Sequence, residues 1–417
     1  MSVVLAALTL ATKSEKWDWT GIIGTGQSLS VGGTATPIPP MTPSFGNLKL
    51  DSDDLSWPVD PNDPKLTLVP LAEPIGRRSV GYPSSWPQNI DGETYHASAA
   101  SEISTLAKGV VTVHIEVGEA GQGMVRIRKA PVREGVTGRS HEAAMLQTRA
   151  IVRLARAAGK SYGVGAVFMT HGETDTGNAN YEEELVRLQV DYNADIRAIT
   201  GQTQSIPMIV SQHNRLGEYS PSTIAQWKAG VDHPQTIVCS GPKYQYPYAK
   251  DDLHLTNEGY RLLGEKYGQV YVERVLRDRP WRPLEPTGAT RRKDEVTIRF
   301  HVPKGPIVWD ERLDAPHPSS PEWSNGKGFE VADASGKRVT IRSAEIRGRD
   351  TVVLRLASDP GSGARLSYAL VGEPTLRNPQ FGATPHWGLL RDSDPFVGAV
   401  TRTPQPNYGV AFEMRLP

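Results

Sequence analysis

The chain changes its hydrophobic period once, and that change limits the fold more than any single motif. Up to about residue 282, short apolar runs alternate with stretches of helical period. The runs 21–24 (GIIG), 110–117 (VVTVHIEV), 164–170 (VGAVFMT), 206–211 (IPMIVS) and 236–240 (TIVCS) read as buried strands. A helix is expected from His141 to about Ala158, capped by Ser140. A second follows Asn180, with Leu185, Leu188, Tyr192, Ile196 and Ile199 on one face, Glu183 at the capping-box position and Gly201 as its stop. A third runs from about Asn257 to Asp278, with Thr256 as cap and Leu263, Tyr267, Tyr271 and Val275 spaced by four. Strands alternating with helices imply right-handed crossovers and a parallel sheet covered on both faces, an α/β layer structure.

Past the segment RDRPWRP (277–283) the period falls to two. In 295–302, Val296, Ile298, Phe300 and Val302 share one face, and 351–356, 365–371 and 410–416 are similar short runs. Turn signals such as Ser335-Gly336-Lys337 and Asp359-Pro360-Gly361 separate them. The expected division is an α/β domain over 1–282 and an all-β sandwich over 283–417. A Pro-rich insertion, about 37–90, interrupts the first part: 11 of the 51 residues from 37 to 87 are proline, which rules out central strands there. Phe45, Trp57 and Trp86 favour an ordered loop over a linker, and its place after the first strand puts it at the edge where open α/β sheets bind ligands.

Composition narrows the function. Lys plus Arg and Asp plus Glu both number 46, so the chain lacks the basic excess by which nucleic-acid binders displace counterions. Its single cysteine, Cys239, excludes an internal disulfide framework and a thiolate zinc cluster. No run approaches the ~18 apolar residues of a membrane span. The segment 3–11 (VVLAALTLA) has about the length of a signal-peptide apolar region, but no Lys or Arg precedes it, which leaves the compartment open.

Four polar or Gly-rich turns fall at strand ends. The first, 24–33 (GTGQSLSVGG), lacks the Lys-Ser/Thr of a phosphate loop and the spacing of a dinucleotide fingerprint, and it is not a G-x-S-x-G elbow; it can instead project Ser28 from the strand tip. The last, 250–259 (KDDLHLTNEG), places Asp251 three residues before His254, so that one carboxylate can hold Nδ1–H and leave Nε2 to take a serine proton. Asp252 competes for that role by proximity. In 117–124 (VGEAGQGM), Gly121 and Gly123 let a main-chain N–H approach an oxyanion. In 170–175 (THGETD), His171 can donate to an oxyanion and Glu173 can brace the loop; the H-x-E-x-D spacing with Asp175 is not a standard metal-ligand set. Gln212 and Asn214, ending the fourth strand with His213, are candidates to line a substrate site.

Taken in order, these turns resemble the four blocks of the SGNH (GDSL-type) hydrolase family. Gly26-Gln27-Ser28 resembles the Gly-Gln-Ser nucleophile block of carbohydrate acetylesterases such as the sialate O-acetylesterase group. Gly121-Gln122-Gly123, His171-Gly172-Glu173-Thr174-Asp175 and Asp251–His254 resemble the other three, although His171 stands where that group has Gln. The resemblance covers about 20–275. Gly328-Phe329-Glu330-Val331 and the later strands loosely resemble the β-domain that some of these esterases carry. It implies a three-layer α/β/α serine esterase acting on an O-acetylated carbohydrate, with neither metal nor organic cofactor. Ser28 is then the nucleophile, His254 the base, Asp251 its orienting carboxylate, and Gly123 or Gly121, with His171, the oxyanion donors; Gln27, Glu173, Gln212 and Asn214 line the substrate site. A polysaccharide substrate favours an extracellular or periplasmic setting. The alternatives are a lipase, thioesterase or arylesterase with the same triad, or a carbohydrate-binding or adhesion protein whose esterase half is vestigial.

Overall fold

A computed structural model of the chain describes residues 17–35, 46–51, 59–75, 92–131, 137–213, 220–251, 253–310, 325–370 and 388–417. Its centre is a seven-stranded sheet of β1 (Trp19–Gly26), β2 (Leu48–Asp51), β3 (Thr67–Pro70), β4 (Thr112–Glu116), β5 (Tyr162–Thr170), β6 (Met208–Gln212) and β7 (Ile237–Pro242), in the order β3-β2-β4-β1-β5-β6-β7. Every pairing is parallel except β2 with β3. The helices are α1 (His96–Leu106), α2 (Met124–Ile127), α3 (Arg139–Ala157), α4 (Tyr181–Thr200), α5 (Pro221–Asp232) and α6 (Asn257–Tyr271). Strand alternation sends Val167 and Met169 of β5 into a core with Ile151, Leu185 and Leu188. Ala166 and Phe168 enter the opposite core with Ile103, Leu263 and Tyr267. Helices α3, α4 and α5 therefore cover one face, and α1 and α6 the other.

Several local expectations are corrected. Gly138, in a left-handed conformation, occupies the cap of α3, and Ser140 lies buried inside its first turn. Asn180 stands at the cap of α4 without a side-chain bond; Asn178 does the capping work, accepting the Asn180 N–H at 3.0 Å and donating to Glu184. Thr256 caps α6 as expected, but the α-helix ends at Tyr271 and widens into a π turn, Val272–Leu276. Helix α1 had no sequence signal because His96–Ser104 is small, polar and buried on all sides, so no apolar stripe forms. It also packs closely against α6. A Cβ on Gly264 of α6 would stand 2.1 Å from Ser98 Oγ and 2.2 Å from the Tyr95 carbonyl oxygen, and one on Gly268 2.9 Å from that of Ala99. The Pro-rich insertion is not a loop throughout: it supplies β2, paired with β4 on one side and β3 on the other, and the edge strand β3, with proline only at the last position of β3. Phe45, Trp57, Trp86 and the 3–11 segment lie outside the described residues.

The C-terminal part is all-β. It contains β8 (Glu285–Arg292), β9 (Glu295–His301), β10 (Val308–Trp309), β11 (Phe329–Ala332), β12 (Ile341–Arg347), β13 (Thr351–Leu356), β14 (Arg365–Tyr368), β15 (Leu390–Arg391) and β16 (Phe412–Arg415). A four-stranded sheet, β12-β13-β9-β8, faces a three-stranded one, β11-β14-β16. Phe300 of the first meets Phe329 and Phe412 of the second at centroid distances of 6.4 and 6.3 Å. This part is keyed into the α/β layers by buried polar groups. Lys266 donates to the Gln405 carbonyl and to Asn407 Oδ1, Glu265 accepts the Val400 and Thr401 N–H groups, and Tyr244 donates to the Gly409 carbonyl.

Candidate active site

The turn that carries Ser28 leaves the C-terminal end of β1, the central strand. It is held by the Ser30 N–H on the Gln27 carbonyl (2.8 Å) and the Gly33 N–H on the Ser28 carbonyl (2.7 Å). The Asp251–His254 turn is pinned on both sides, by an antiparallel bridge between Tyr248 and Leu255 and by the capped start of α6. The two turns meet although 226 residues separate them: Ser28 Oγ lies 2.7 Å from His254 Nε2, and His254 Nδ1 lies 2.6 Å from Asp251 Oδ2. The other carboxylate oxygen, Oδ1, accepts the N–H groups of Leu253 and His254 at 3.1 and 3.0 Å. Burial by itself would raise the Asp251 carboxyl, but the bonds from the His254 ring and these two amides hold it below its ordinary value. The His254 ring is thus fixed with Nδ1–H toward the carboxylate and Nε2 toward the hydroxyl. Asp252 lies outside the described residues. Tyr260 of α6 donates to the Gly33 carbonyl at 2.9 Å and ties the helix that follows His254 to the Ser28 turn.

The other two turns close around this line. The Glu119 N–H reaches the Gly26 carbonyl at 2.9 Å, continuing the β1–β4 pairing past the end of β4. Gly121 turns the chain at φ +72°, whereas Gly123 abuts the Asp175 carboxylate, where a Cβ would stand 2.6 Å from Oδ1. Asp175 Oδ2 accepts the Met124 N–H at 2.6 Å, and Gln27, buried, accepts the Thr174 N–H at 3.2 Å. Glu173 pairs with the buried Lys243. Burial would raise the Glu173 carboxyl, but the charge and hydrogen bond of Lys243, with His213 beside them, hold it down at about 2. It is ionised and braces the third turn against the segment after β7.

Three sequence expectations find different places. Both ring nitrogens of His171 are engaged: Nε2 donates to the Gln122 carbonyl (3.0 Å) and Nδ1 accepts from Tyr181 (2.9 Å). With no N–H left over and its ring fully buried, it braces the second turn and does not serve as an oxyanion donor. Gln212 is also buried; its amide pairs with both main-chain groups of Ala411 (2.7 and 2.8 Å) and with the Thr223 carbonyl, so it docks the C-terminal strand and lines no substrate site. Asn214 lies outside the described residues. Sequence reading missed Lys243, and it missed a buried group behind the Ser28 turn, Ser30, Tyr95, His96, His114 and Glu116. Gly24 and Gly118, beside that group, were its only trace in the sequence. Among the described residues no cluster of three or more His, Cys, Asp or Glu is arranged to hold a metal ion, and no helix is long and apolar enough to cross a membrane.

This fold is shared with a carbohydrate acetylesterase from Xanthomonas citri, 14% identical, over 95% of this chain and 80% of that one, with a TM-score of 0.54. A protein from Arabidopsis thaliana aligns over 62% of this chain and all of its own (18% identity, TM-score 0.41). A carbohydrate acetylesterase from Sinorhizobium meliloti aligns over 62% and 99% (12% identity, TM-score 0.31). At scores below 0.5 these last two define no common fold. No protein-family model matches the chain, and no curated protein matches it in sequence. The class reached is an α/β layer fold of the kind found in a carbohydrate esterase, followed by a β region.

Proposed function

We propose that this protein is a serine esterase of the SGNH type that removes O-acetyl groups from a carbohydrate. The observation that carries the proposal is the unbroken Ser28–His254–Asp251 line, with bonds of 2.7 and 2.6 Å, at the C-terminal edge of the sheet. In this reading His254 takes the Ser28 proton as Oγ attacks the acetyl carbonyl. It then returns the proton to the departing sugar oxygen, and the acetyl-enzyme is hydrolysed by water activated by the same imidazole. Asp251 fixes the tautomer and stabilises the imidazolium. The N–H groups of Ser28 and Gly123 stabilise the tetrahedral oxyanion; neither has a hydrogen-bond acceptor among the described residues. Residues 1–282 carry this chemistry, and the β region, 283–417, supplies no triad member. The carbohydrate substrate rests on the likeness of the Gly26-Gln27-Ser28 and later blocks and on the shared fold.

The test is acetate release over a panel of acetylated glycans, with wild type beside Ser28→Ala. The variant should lose hydrolysis and fluorophosphonate labelling, with stability changed by no more than about 1 kcal/mol. Retained hydrolysis in Ser28→Ala refutes the triad; activity confined to long-chain acyl esters refutes the carbohydrate substrate.

A further inference from the structure

Behind the nucleophile turn lies a buried chain of hydrogen bonds that the mechanism above does not use. Glu116, the last residue of β4, is its hub. Oε1 accepts the Ser30 hydroxyl and the Gly118 N–H, both at 2.5 Å; Oε2 meets the Tyr95 hydroxyl and His96 Nε2, both at 3.0 Å. The chain continues from His96 Nδ1 to His114 Nδ1 (2.9 Å), from His114 Nε2 to Thr112 Oγ1 (2.8 Å), and from Thr112 Oγ1 to Asn47 Oδ1 (2.9 Å). The group presses against backbone on two sides: a Cβ on Gly24 would stand 2.1 Å from Glu116 Oε2, and one on Gly118 2.0 Å from Ser30 Oγ. Those glycines flank the nucleophile turn and the second turn.

Hydrogen counting allows the chain two arrangements, of which only the second puts a hydrogen in every link. In the first, Glu116 is a carboxylate: His96 donates through Nε2, His114 through Nδ1, and the Thr112 hydroxyl turns to His114 Nε2, which leaves the Thr112–Asn47 contact without a hydrogen. In the second, Glu116 carries one added proton on Oε2 and donates it to His96 Nε2. Each imidazole then bears its hydrogen on the other nitrogen, and the Thr112 hydroxyl turns to Asn47. Both imidazoles are neutral throughout, and the arrangements differ by one proton. In the second, Oε1 is a carbonyl oxygen, a weaker acceptor for Ser30 and Gly118 than a carboxylate oxygen.

We propose that Glu116 is a positioning residue for the nucleophile, whose carboxylate form holds the Ser28 turn against the second turn through Ser30 and Gly118 and whose protonated form loosens that hold. The proposal rests on Ser28 being the nucleophile. The surroundings bring the exchange into reach of neutral pH. Burial pushes the Glu116 carboxyl up to about 7 against its hydrogen bonds, and burial holds His96 down at about 3 and His114 low. The groups facing the hub are neutral: Tyr95 and His96 at the start of α1, Ser30 in the nucleophile turn, and His114 on β4, with Tyr192 of α4 and Tyr267 of α6 beyond them. Among the described residues no Lys or Arg pairs with Glu116.

The test compares wild type, Glu116→Gln, Glu116→Ala and Ser30→Ala in p-nitrophenyl acetate hydrolysis, together with an infrared titration of buried carboxyl groups. Gln reproduces the protonated arrangement, offering a carbonyl oxygen to Ser30 and Gly118 and an N–H to His96. Its kcat should fall about 10-fold, that of Glu116→Ala about 100-fold, and that of Ser30→Ala between them, with KM within about twofold in all three. The protonated-carboxyl band titrating near neutrality should lose one component in Glu116→Gln, the remainder belonging to Glu73 and Glu102, which burial also raises to about 7. Wild-type kcat in a folded Glu116→Ala, or a band in Glu116→Gln undiminished from that of wild type, overturns the proposal. If Glu116→Ala does not fold, wild-type kcat in both other variants overturns it. A wild-type protein that hydrolyses no ester refutes the esterase reading instead, and the infrared titration, which needs no substrate, still decides where the proton resides.

Discussion

Replacing Lys243 with Met leaves Glu173 as a buried carboxylate facing an apolar side chain of similar length. In the native protein Lys243 and its neighbours hold that carboxyl at about 2, some 2.5 units below the ordinary glutamate value of 4.5. Each unit corresponds to 1.36 kcal/mol of preference for the charged form, so the native environment favours ionised Glu173 by about 3 kcal/mol. Breaking one side of a buried pair costs about 3–5 kcal/mol, the same range. For a chain of 417 residues unfolding as one unit, an entropy of about 2.1 cal/mol/K per residue converts this to a fall of roughly 3–6 °C in Tm. Because Glu173 is held below its unfolded value, its stabilisation is complete above pH 4.5 and is lost as pH falls toward 2. In Lys243→Met that contribution is gone, so the gap from wild type should be largest at pH 8 and narrow below about pH 5. Urea unfolding of Lys243→Met, Glu173→Gln and the double variant closes a thermodynamic cycle. The double variant should recover most of the loss, with a coupling of at least about 2 kcal/mol. Strict additivity, or a penalty for Lys243→Met that does not change with pH, would refute an ionised Glu173 held by Lys243.

Asp251→Asn should lower turnover by up to about 10⁴ with substrate affinity nearly unchanged, because the imidazole loses the acceptor that fixes its tautomer; steady-state kinetics beside Asp252→Asn checks the register, and greater damage at Asp252 would show it wrong. Gln212→Ala strands the Ala411 N–H and carbonyl between the two parts of the molecule, and denaturant unfolding should read a loss of about 2–4 kcal/mol; an unchanged midpoint would mean that this strand docks without Gln212. Glu116, raised to about 7 from 4.5, contributes stability that is complete below pH 4.5 and lost as pH rises through 7. Wild type should therefore lose up to about 3 kcal/mol relative to Glu116→Gln between pH 5 and 8, measured by chemical denaturation at each pH.

What could be read in advance followed chain-local chemistry. Strands β1, β4, β5, β6 and β7 were legible because each is a short apolar run bounded by turn residues, and α4 because one face repeats at the helical period. Ser28, Asp251 and His254 were legible because two of the three sit three residues apart and the third lies in a Gly-rich turn. Helix α1 was not, since a helix buried all round by alanine and serine has no stripe to detect. Helix α5 could have been found: Ser220 followed by Pro221 is a cap and first-turn pair, and Ser220 does accept the Thr223 N–H. Lys243 and Glu116 were illegible for another reason. A lone charge in a sequence reads as surface, and only packing reveals that its partner is 70 residues away or that four donors surround it. Gln212 and His171 were misread for the converse reason: a polar residue at a strand's C-terminal end was taken to face a ligand, when the neighbouring elements had already engaged its hydrogen-bonding groups.

The seam between α1 and α6 also sets an order of events during synthesis. At roughly 5–20 residues per second, the 226 residues that separate Ser28 from His254 take roughly ten to forty-five seconds to translate. For that interval the nascent chain carries its Ser28 turn without His254. Only when α6 emerges and seats Gly264 and Gly268 on α1 does Tyr260 reach Gly33 and the histidine reach the serine. The partners of Glu265 and Lys266, in the chain near 400–407, are made later still. A growing chain therefore holds Ser28 apart from His254 until the last helix of its α/β part is in place, and a ribosome stalled before α6 releases a chain in which the Ser28–His254–Asp251 line has not formed.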